Sequence, residues 1–483
     1  MSGLELKDFL SPTTLAFPVN QRIETDILYP VSFSQSSVKF VFDQKGILDA
    51  NSKVRLKLTV PQLAAGGEAN AVFPIHTGVS AIVNRAWLEI GGRRVSTLER
   101  VGDFLTFTNL SYSPEYKRNV LGVQEGYSAN VRGATDVAGT TTGLISHANK
   151  ASNADGRLKL KSTSALSPEW SIPLSRLVPM LEGFQLPLFA IDQEVSLTIE
   201  FNQSLIDRSG FIAPTQALVA PGVATIDRDA CILMADYLYY PDEMMDIAQK
   251  IGAPGGYAHL YDEVMTIEST ENPVGTDPTG TLHSPATFSH QLNLAGKTLK
   301  SIIVQSVKAP NSLAGVYVSN DDQLPDSYNF VIDSQPFYAN DVVNGSFKYK
   351  EASSVIGRPL SVSAWEYSFN NQTTEDLAGG GTNAGQFAVA QSGFSDWTYQ
   401  DITQQERTAS QSWRGMSLAK ESMGVGGRVM SNLPVVFRRT RQIVSQVAYP
   451  SAVGDFATSV LMRFFATTGR VLLLKNGQAT VIQ

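Results

Sequence analysis

The sequence predicts an all-β chain built as two large sandwich domains, and three observations predict it. Apolar residues recur with a period of two, helical periodicity is scarce, and a Gly- and Pro-dense stretch divides the chain near its middle. Successive strand side chains point to opposite faces, so an i, i+2, i+4 apolar series marks a strand with one face in a core and the other in water. Val38, Phe40 and Phe42 form one such series beside Lys39 and Asp43, and Val54, Leu56, Leu58 and Val60 form another between Arg55, Lys57 and Thr59. Val195, Leu197, Ile199 and Phe201 repeat the pattern against Ser196, Thr198 and Glu200. Leu186-Pro187-Leu188 precedes them, with proline ahead of the strand, where its missing N–H is harmless.

Further strand-like runs are Ala81 to Ile90, Cys231 to Tyr240, Leu260 to Ile267, Leu299 to Val307, Leu360 to Phe369 and Val460 to Leu474. Two helices are expected as connectors. Leu98, Val101, Phe104, Leu105 and Phe107 make one apolar stripe, and Pro241 to Ile251 opens on Pro-Asp-Glu and closes with Lys250 before Gly252, as the helix dipole favours. Ser111 to Lys159, Ala309 to Gly345 and Asn370 to Asn432 lack periodicity and are expected to be surface loops. The last holds Gly379-Gly380-Gly381, Trp397, Tyr399 and Trp413, which suggests an ordered surface excursion more than a linker. Pro273, Gly275, Pro278 and Gly280 mark the divide, giving an N-terminal arm at 1–18, a first domain at 19–269, a linker at 270–285 and a second domain at 286–483.

Composition narrows the function. At 483 residues with 43% hydrophobic and 17% charged side chains, there is material for two buried cores. A net charge of -7 argues against broad charge-driven binding of nucleic acid, so no direct sequence-specific contact with a genome is expected. The single cysteine, Cys231, rules out an intrachain disulfide and a Cys-rich zinc site. Met1 to Pro18 carries Glu5, Lys7 and Asp8 and lacks the pattern of a signal peptide, and no run approaches the roughly 20 apolar residues of a membrane span; a soluble, cytosolically made chain is expected.

No catalytic, cofactor or metal site is predicted. His76, His147, His259, His283 and His290 are dispersed and make no metal motif. Asp242, Glu243 and Asp246 are read as partners of a helix N-terminus, not as an acid pair. Gly91-Gly92-Arg93-Arg94 follows a strand and lacks the pattern of a phosphate loop, so it is read as a hairpin turn. Arg438, Arg439 and Arg441 form the one dense basic cluster, read as an exposed strand and, in the sharper reading, as a contact for a membrane, a minor protein or a genome. Sequons begin at Asn109, Asn202, Asn344 and Asn371 but matter only to a secreted chain. Cys231, in an apolar strand, is read as a packed thiol.

Strand patterning alone does not separate a jelly roll from an immunoglobulin-like or lectin sandwich. Four ordered segments do more. VNRAWLEIGGRRV at Val83 to Val95, LPLFAIDQEVSLTIEF at Leu186 to Phe201, ADYLYYPDEMMDIAQKIG with HLYDEVMTIE between Leu233 and Glu268, and LNLAGKTLKSIIVQSV at Leu292 to Val307 resemble the major capsid proteins of large eukaryotic double-stranded DNA viruses, virophages and polinton-like viruses. Ala295-Gly296 replaces a His-Pro usual in giant-virus members, and FDQKGILDANSKVRL at Phe42 to Leu56 is more similar to virophage and polinton-like proteins.

The resemblance implies two tandem eight-stranded jelly rolls (a double jelly roll), no enzyme activity, and a homotrimer of pseudo-hexagonal outline that tiles an icosahedral shell. In that scheme HLYDEVMTIE closes the first roll and LNLAGKTLKSIIVQSV opens the second. Implied partners are further copies of the chain, penton and minor capsid proteins, and an internal membrane; the implied place is the virion capsid, assembled in host cytoplasm or nucleus. The rival reading is a viral spike or carbohydrate-binding attachment protein, with Trp397, Tyr399 and Trp413 as sugar-stacking residues.

Overall fold

The computed structural model describes residues 22–59, 69–74, 78–110, 143–144, 157–162, 169–182, 184–202, 225–271, 286–308, 327–343, 413–418, 427–430, 433–439 and 460–482. The first eight principal strands are β1 (Arg22–Leu28), β2 (Ser37–Val41), β3 (Lys53–Thr59), β4 (Val83–Ile90), β5 (Arg93–Glu99), β6 (Glu169–Pro173), β7 (Val195–Phe201) and β8 (Ile232–Tyr239). They make two antiparallel sheets, ordered β1-β8-β3-β6 and β2-β7-β4-β5. First pairs with last, second with seventh, third with sixth and fourth with fifth, which is a long antiparallel hairpin rolled into a sandwich.

The second set repeats it. β9 (Tyr257–Glu271), β10 (Ala286–Leu292), β11 (Thr298–Lys308), β12 (Ser327–Ile332), β13 (Gln335–Pro336), β14 (Trp413–Ser417), β15 (Leu433–Arg439) and β16 (Val460–Lys475) form sheets ordered β9-β16-β11-β14 and β10-β15-β12-β13. Adding eight to every label of the first roll gives the second. The chain therefore carries a structural repeat that its sequence does not display.

The alternation read from the sequence sets the faces. In β3 the even residues Val54, Leu56 and Leu58 are fully buried while Lys53, Arg55 and Lys57 stay partly in water. The hairpins β4–β5 and β12–β13 share a turn type. Gly91 and Gly92 take φ of 58° and 74°, Asp333 and Ser334 take 49° and 67°, and the flanking pairs Ile90↔Arg93 and Ile332↔Gln335 close each turn. Two successive positive φ values match the right-handed twist of the flanking strands and favour Gly, Asn and Asp.

Several expectations shift. The first roll was expected to run to residue 269 with a linker at 270–285, yet β9 pairs along its whole length with β16 and belongs to the second roll. HLYDEVMTIE therefore opens that roll instead of closing the first. LNLAGKTLKSIIVQSV begins at the end of its second strand, β10, and carries most of its third, β11. The crossing between rolls is α2 (Pro241–Gly252), which follows α1 (Val101–Leu110) as the second longer helix among the described residues. The Pro- and Gly-rich stretch falls between β9 and β10 in the sequence, and 272–285 lies outside the described residues.

The expected loops also hold strands. Arg157–Ser162 pairs with Ala69–Pro74 and Gly143–Leu144, β12 and β13 fall within Ala309 to Gly345, and β14 falls within Asn370 to Asn432. β12 escapes a period-two reading because Ser327, Tyr328, Asn329 and Phe330 are all buried, on both faces. The arm at 1–18, the run Leu360 to Phe369 and most of the three loops lie outside the described residues. No helix among the described residues is long and apolar enough to cross a membrane.

Gly256 turns the chain from α2 into β9 at φ +69°, where a Cβ would come within 2.8 Å of the Leu474 carbonyl oxygen. Backbone obstructs that space, so Gly256→Ala is expected to cost at least about 1–2 kcal/mol, from the left-handed conformation alone. Gly252, with open space around its Cβ position, is the control. Thermal unfolding of the two variants checks this.

Candidate functional site

The two rolls meet in a seam built from side chains of both. Each roll has its own core, the second around Phe330, Phe437 and Phe464, but Tyr261, Val264, Ile303, Phe465, Leu472 and Leu474 of the second roll join the buried cluster of the first. The pairing of Thr266 with Phe465 and of Ile303 with Phe465 puts Thr266, Phe465 and Ile303, with Val264, on one face of β9-β16-β11; Met265, Ile267 and Phe464 point the other way, into the second core. The outer face of that sheet is thus buried against the first roll. Phe104 of α1 meets Phe465 with ring centroids 5.6 Å apart, and Phe184 stacks on His259 at 3.7 Å.

Polar contacts set the register of the seam. β5 is an edge strand, and its backbone receives side chains of β9: Tyr261 Oη donates to Val95 O at 2.6 Å, Thr97 N donates to Glu263 Oε1 at 2.8 Å, and Thr266 Oγ1 donates to Glu99 O at 3.3 Å. Covering an edge in this way removes a template for unwanted strand pairing. At one end Arg463 Nη1 donates to Asp103 Oδ1 at 2.6 Å and its Nε to Glu268 Oε1 at 2.9 Å, while Arg100 Nε lies 2.8 Å from the same Glu268 oxygen. Side-chain exposures of 1% for Arg463 and 4% for Asp103 make this a buried ion pair. Burial pushes the Asp103 carboxyl up against the pull of Arg463 and Arg100. For Glu268 burial also raises, but Arg100 and Arg463 win and hold it below the usual range.

At the other end the hairpin between β16 and β17 (Gln478–Ile482) touches the first roll. Asp192 N donates to Gly477 O at 2.9 Å and Ala479 N donates to Gln193 Oε1 at 3.0 Å.

Among the described residues, the sequence-predicted ones are not brought together into a site. His259 lies on Phe184 in the seam, its pKa lowered by burial, and His290 Nδ1 sits 2.7 Å from Ser269 Oγ; His76, His147 and His283 lie outside the described residues. Asp242 and Glu243 occupy the first turn of α2, and Asp246 pairs with Lys250 one turn on. Arg94 lies 4.3 Å over the Trp87 ring, which also receives Arg85 at 5.0 Å, so the Gly-Gly-Arg-Arg turn serves side-chain stacking. Cys231 is buried and its thiol is pushed up to about 12 by that burial, which keeps it protonated and unreactive. Arg438 and Arg439 lie on β15, Trp413 on β14 and Asn109 in α1; Asn202 follows β7. Arg441, Trp397, Tyr399, Asn344 and Asn371 lie outside the described residues. No group of three or more His, Cys, Asp or Glu positioned for a metal occurs among the described residues.

Two sandwiches wound alike, joined by an apolar seam, define a double jelly roll. Residues 20–241 match the family described as major capsid protein N-terminus, a span ending where the first roll ends. The first roll thus matches the N-terminus of major capsid proteins, and the chain as a whole has the double jelly-roll fold. No curated protein matches it in sequence.

Among solved structures, PBCV-1 VP54 fitted into a reconstruction of the virophage Sputnik is similar at 13% identity, covering 97% of this chain and 98% of that one, with a TM-score of 0.57. A quasi-atomic model of the PBCV-1 capsid gives the same figures: 13% identity, 97% and 98% coverage, and 0.57. The Faustovirus major capsid protein follows at 10% identity, 96% and 94% coverage and a TM-score of 0.46. At these identities the PBCV-1 likeness speaks for the fold.

Proposed function

We propose that the chain self-assembles into homotrimeric capsomers of pseudo-hexagonal outline that tile an icosahedral shell. The observation that carries this reading is the repeat of strand order within one chain. Two like rolls per copy give six like units per trimer, and a hexagonal tile packs side by side with few gaps. Contacts between unlike surfaces close into a ring when the rotation between copies allows it. The domain limits that go with this reading are a first roll at 22–240 and a second at 257–482.

Penton and minor capsid proteins, and an internal membrane, are the further partners this role calls for, with assembly in host cytoplasm or nucleus. Sequence-specific contact with the genome is not part of it. Phe42 to Leu56 supports a place near the virophage and polinton-like members.

The test is the mass and outline of the purified protein. Light scattering is expected to give three copies, and negative-stain images are expected to show hexagonal particles. A stable monomer at every concentration tested sinks the proposal.

A further inference from the structure

The β16–β17 hairpin turns on Asn476-Gly477, between the paired residues Lys475 and Gln478, with φ of 50° and 76°. In an Asn-Gly pair the glycine nitrogen meets no Cβ of its own as it approaches the asparagine side chain. Its chemistry is loss of the amide. The Gly477 nitrogen attacks Asn476 Cγ, the Cγ–Nδ2 bond breaks, and the amide nitrogen leaves as ammonia with the proton that Gly477 gives up. Water then opens the five-membered succinimide at either carbonyl, which leaves aspartate or isoaspartate.

The attack needs the Gly477 nitrogen on the same side of the Asn476 Cα–C bond as the side chain. The left-handed backbone at Asn476 carries a ψ of about +30 to +60°, which turns that nitrogen to the side opposite Cβ. The docked turn is therefore inert, although Asn476 itself is exposed to water. The first roll holds the turn in this form. Asp192 N donates to Gly477 O at 2.9 Å, Ala479 N donates to Gln193 Oε1 at 3.0 Å, and a Cβ on Gly477 would overlap the Asp192 carboxylate. Gln193 also lies against Gly91, where a Cβ would come within 2.6 Å of its Nε2, so its side chain is wedged between two hairpin turns.

We infer that Asn476 is a deamidation site gated by the seam, silent while the hairpin is docked on Asp192 and Gln193 and reactive once it lifts. The product opposes return. Aspartate sets a second carboxylate next to the glycine that Asp192 already crowds, and isoaspartate adds a backbone atom to the turn and shifts Gly477 O out of register with Asp192 N. An opening of the seam thus leaves a lasting chemical mark. The gate lies within one chain and does not depend on the trimer.

Mass spectrometry of the peptide carrying Asn476 reads the conversion after the full chain is incubated in mildly alkaline buffer. Asn344-Gly345, the other Asn-Gly pair, lies outside the described residues and falls in a different peptide. A synthetic peptide spanning Val471 to Ile482 gives the ungated rate, and Asn476→Asp is the control that abolishes the mass gain. Asn476 in the folded chain is expected to convert at least about tenfold more slowly than in the peptide, since the rate follows the population of the open form. Gln193→Ala removes the acceptor of Ala479 N and should raise the folded rate at least about threefold. Urea well below the unfolding transition should raise the wild-type rate as well, and that measurement decides the matter if Gln193→Ala does not fold. Conversion of the folded wild type at the peptide's rate overturns the protection. A slow rate that neither Gln193→Ala nor urea below the transition changes overturns the gate at the seam.

Discussion

Arg463→Ala is expected to be among the most damaging single changes in the chain, lowering stability by roughly 3–5 kcal/mol, the range for breaking one side of a buried ion pair. Arg463 neutralises Asp103 at 2.6 Å where the two side chains are 1% and 4% exposed, so removing the guanidinium strands a carboxyl that water cannot reach. Asp103 lies on α1 of the first roll and Arg463 on β16 of the second, so the loss falls on the seam. The double variant Asp103→Leu with Arg463→Met should recover most of it, because paired apolar groups of similar volume satisfy the site without a charge. Denaturant unfolding of the wild type, Asp103→Leu, Arg463→Met and the double variant gives the coupling. Equal loss in the double and in Arg463→Ala would mean that packing around Arg463, not its charge, holds the rolls together.

Much of the first roll is legible in the sequence because its strands keep one face wet. Lys53, Arg55 and Lys57 on β3 interrupt the apolar series and give it a period. In β12 the residues Ser327 to Phe330 are buried on both faces, and the period vanishes. β9 reads correctly as a strand but is placed in the wrong roll. Its partner, β16, lies about 200 residues further on, and the Pro- and Gly-rich sequence after β9 carries a stronger local signal of a boundary than the helix ahead of it.

The seam is invisible for the same reason. Asp103 and Arg463 are 360 residues apart, and nothing local distinguishes either from a solvated surface charge. The exposed stripe on β1 could have been found: Ile23 and Ile27 alternate with Glu24 and Asp26 much as β3 alternates. There the apolar side is the wet one, because Lys45 draws Glu24 and Asp26 to the other face.

The stability of the seam should also depend on pH through Glu263, the second large effect. Its residue exposure is 4%, and burial raises its pKa to about 7, with Arg470, the Thr97 N–H and the Ser96 hydroxyl pulling it back part of the way. In the unfolded chain the same carboxyl titrates near its model value of 4.5. Between these two values the folded protein holds a proton that the unfolded chain has released, so stability falls as pH rises.

The contribution is fully present below about pH 4.5, is lost progressively up to about 7 and changes little above, with a total of roughly 3 kcal/mol. This slope runs opposite to that of surface carboxylates such as Glu24 and Glu169, whose pKa values are lowered by Lys45 and Arg55 and which favour the folded state at higher pH. Glu263→Gln keeps an acceptor for Thr97 N–H without a charge to bury. It should therefore leave stability at pH 4.5 nearly unchanged, raise it at pH 8 by about 2–3 kcal/mol, and remove this component of the slope. Chemical denaturation at several pH values measures it. An unchanged slope in the Gln variant would mean that Glu263 is already ionised in the seam and that Arg470 compensates its burial in full.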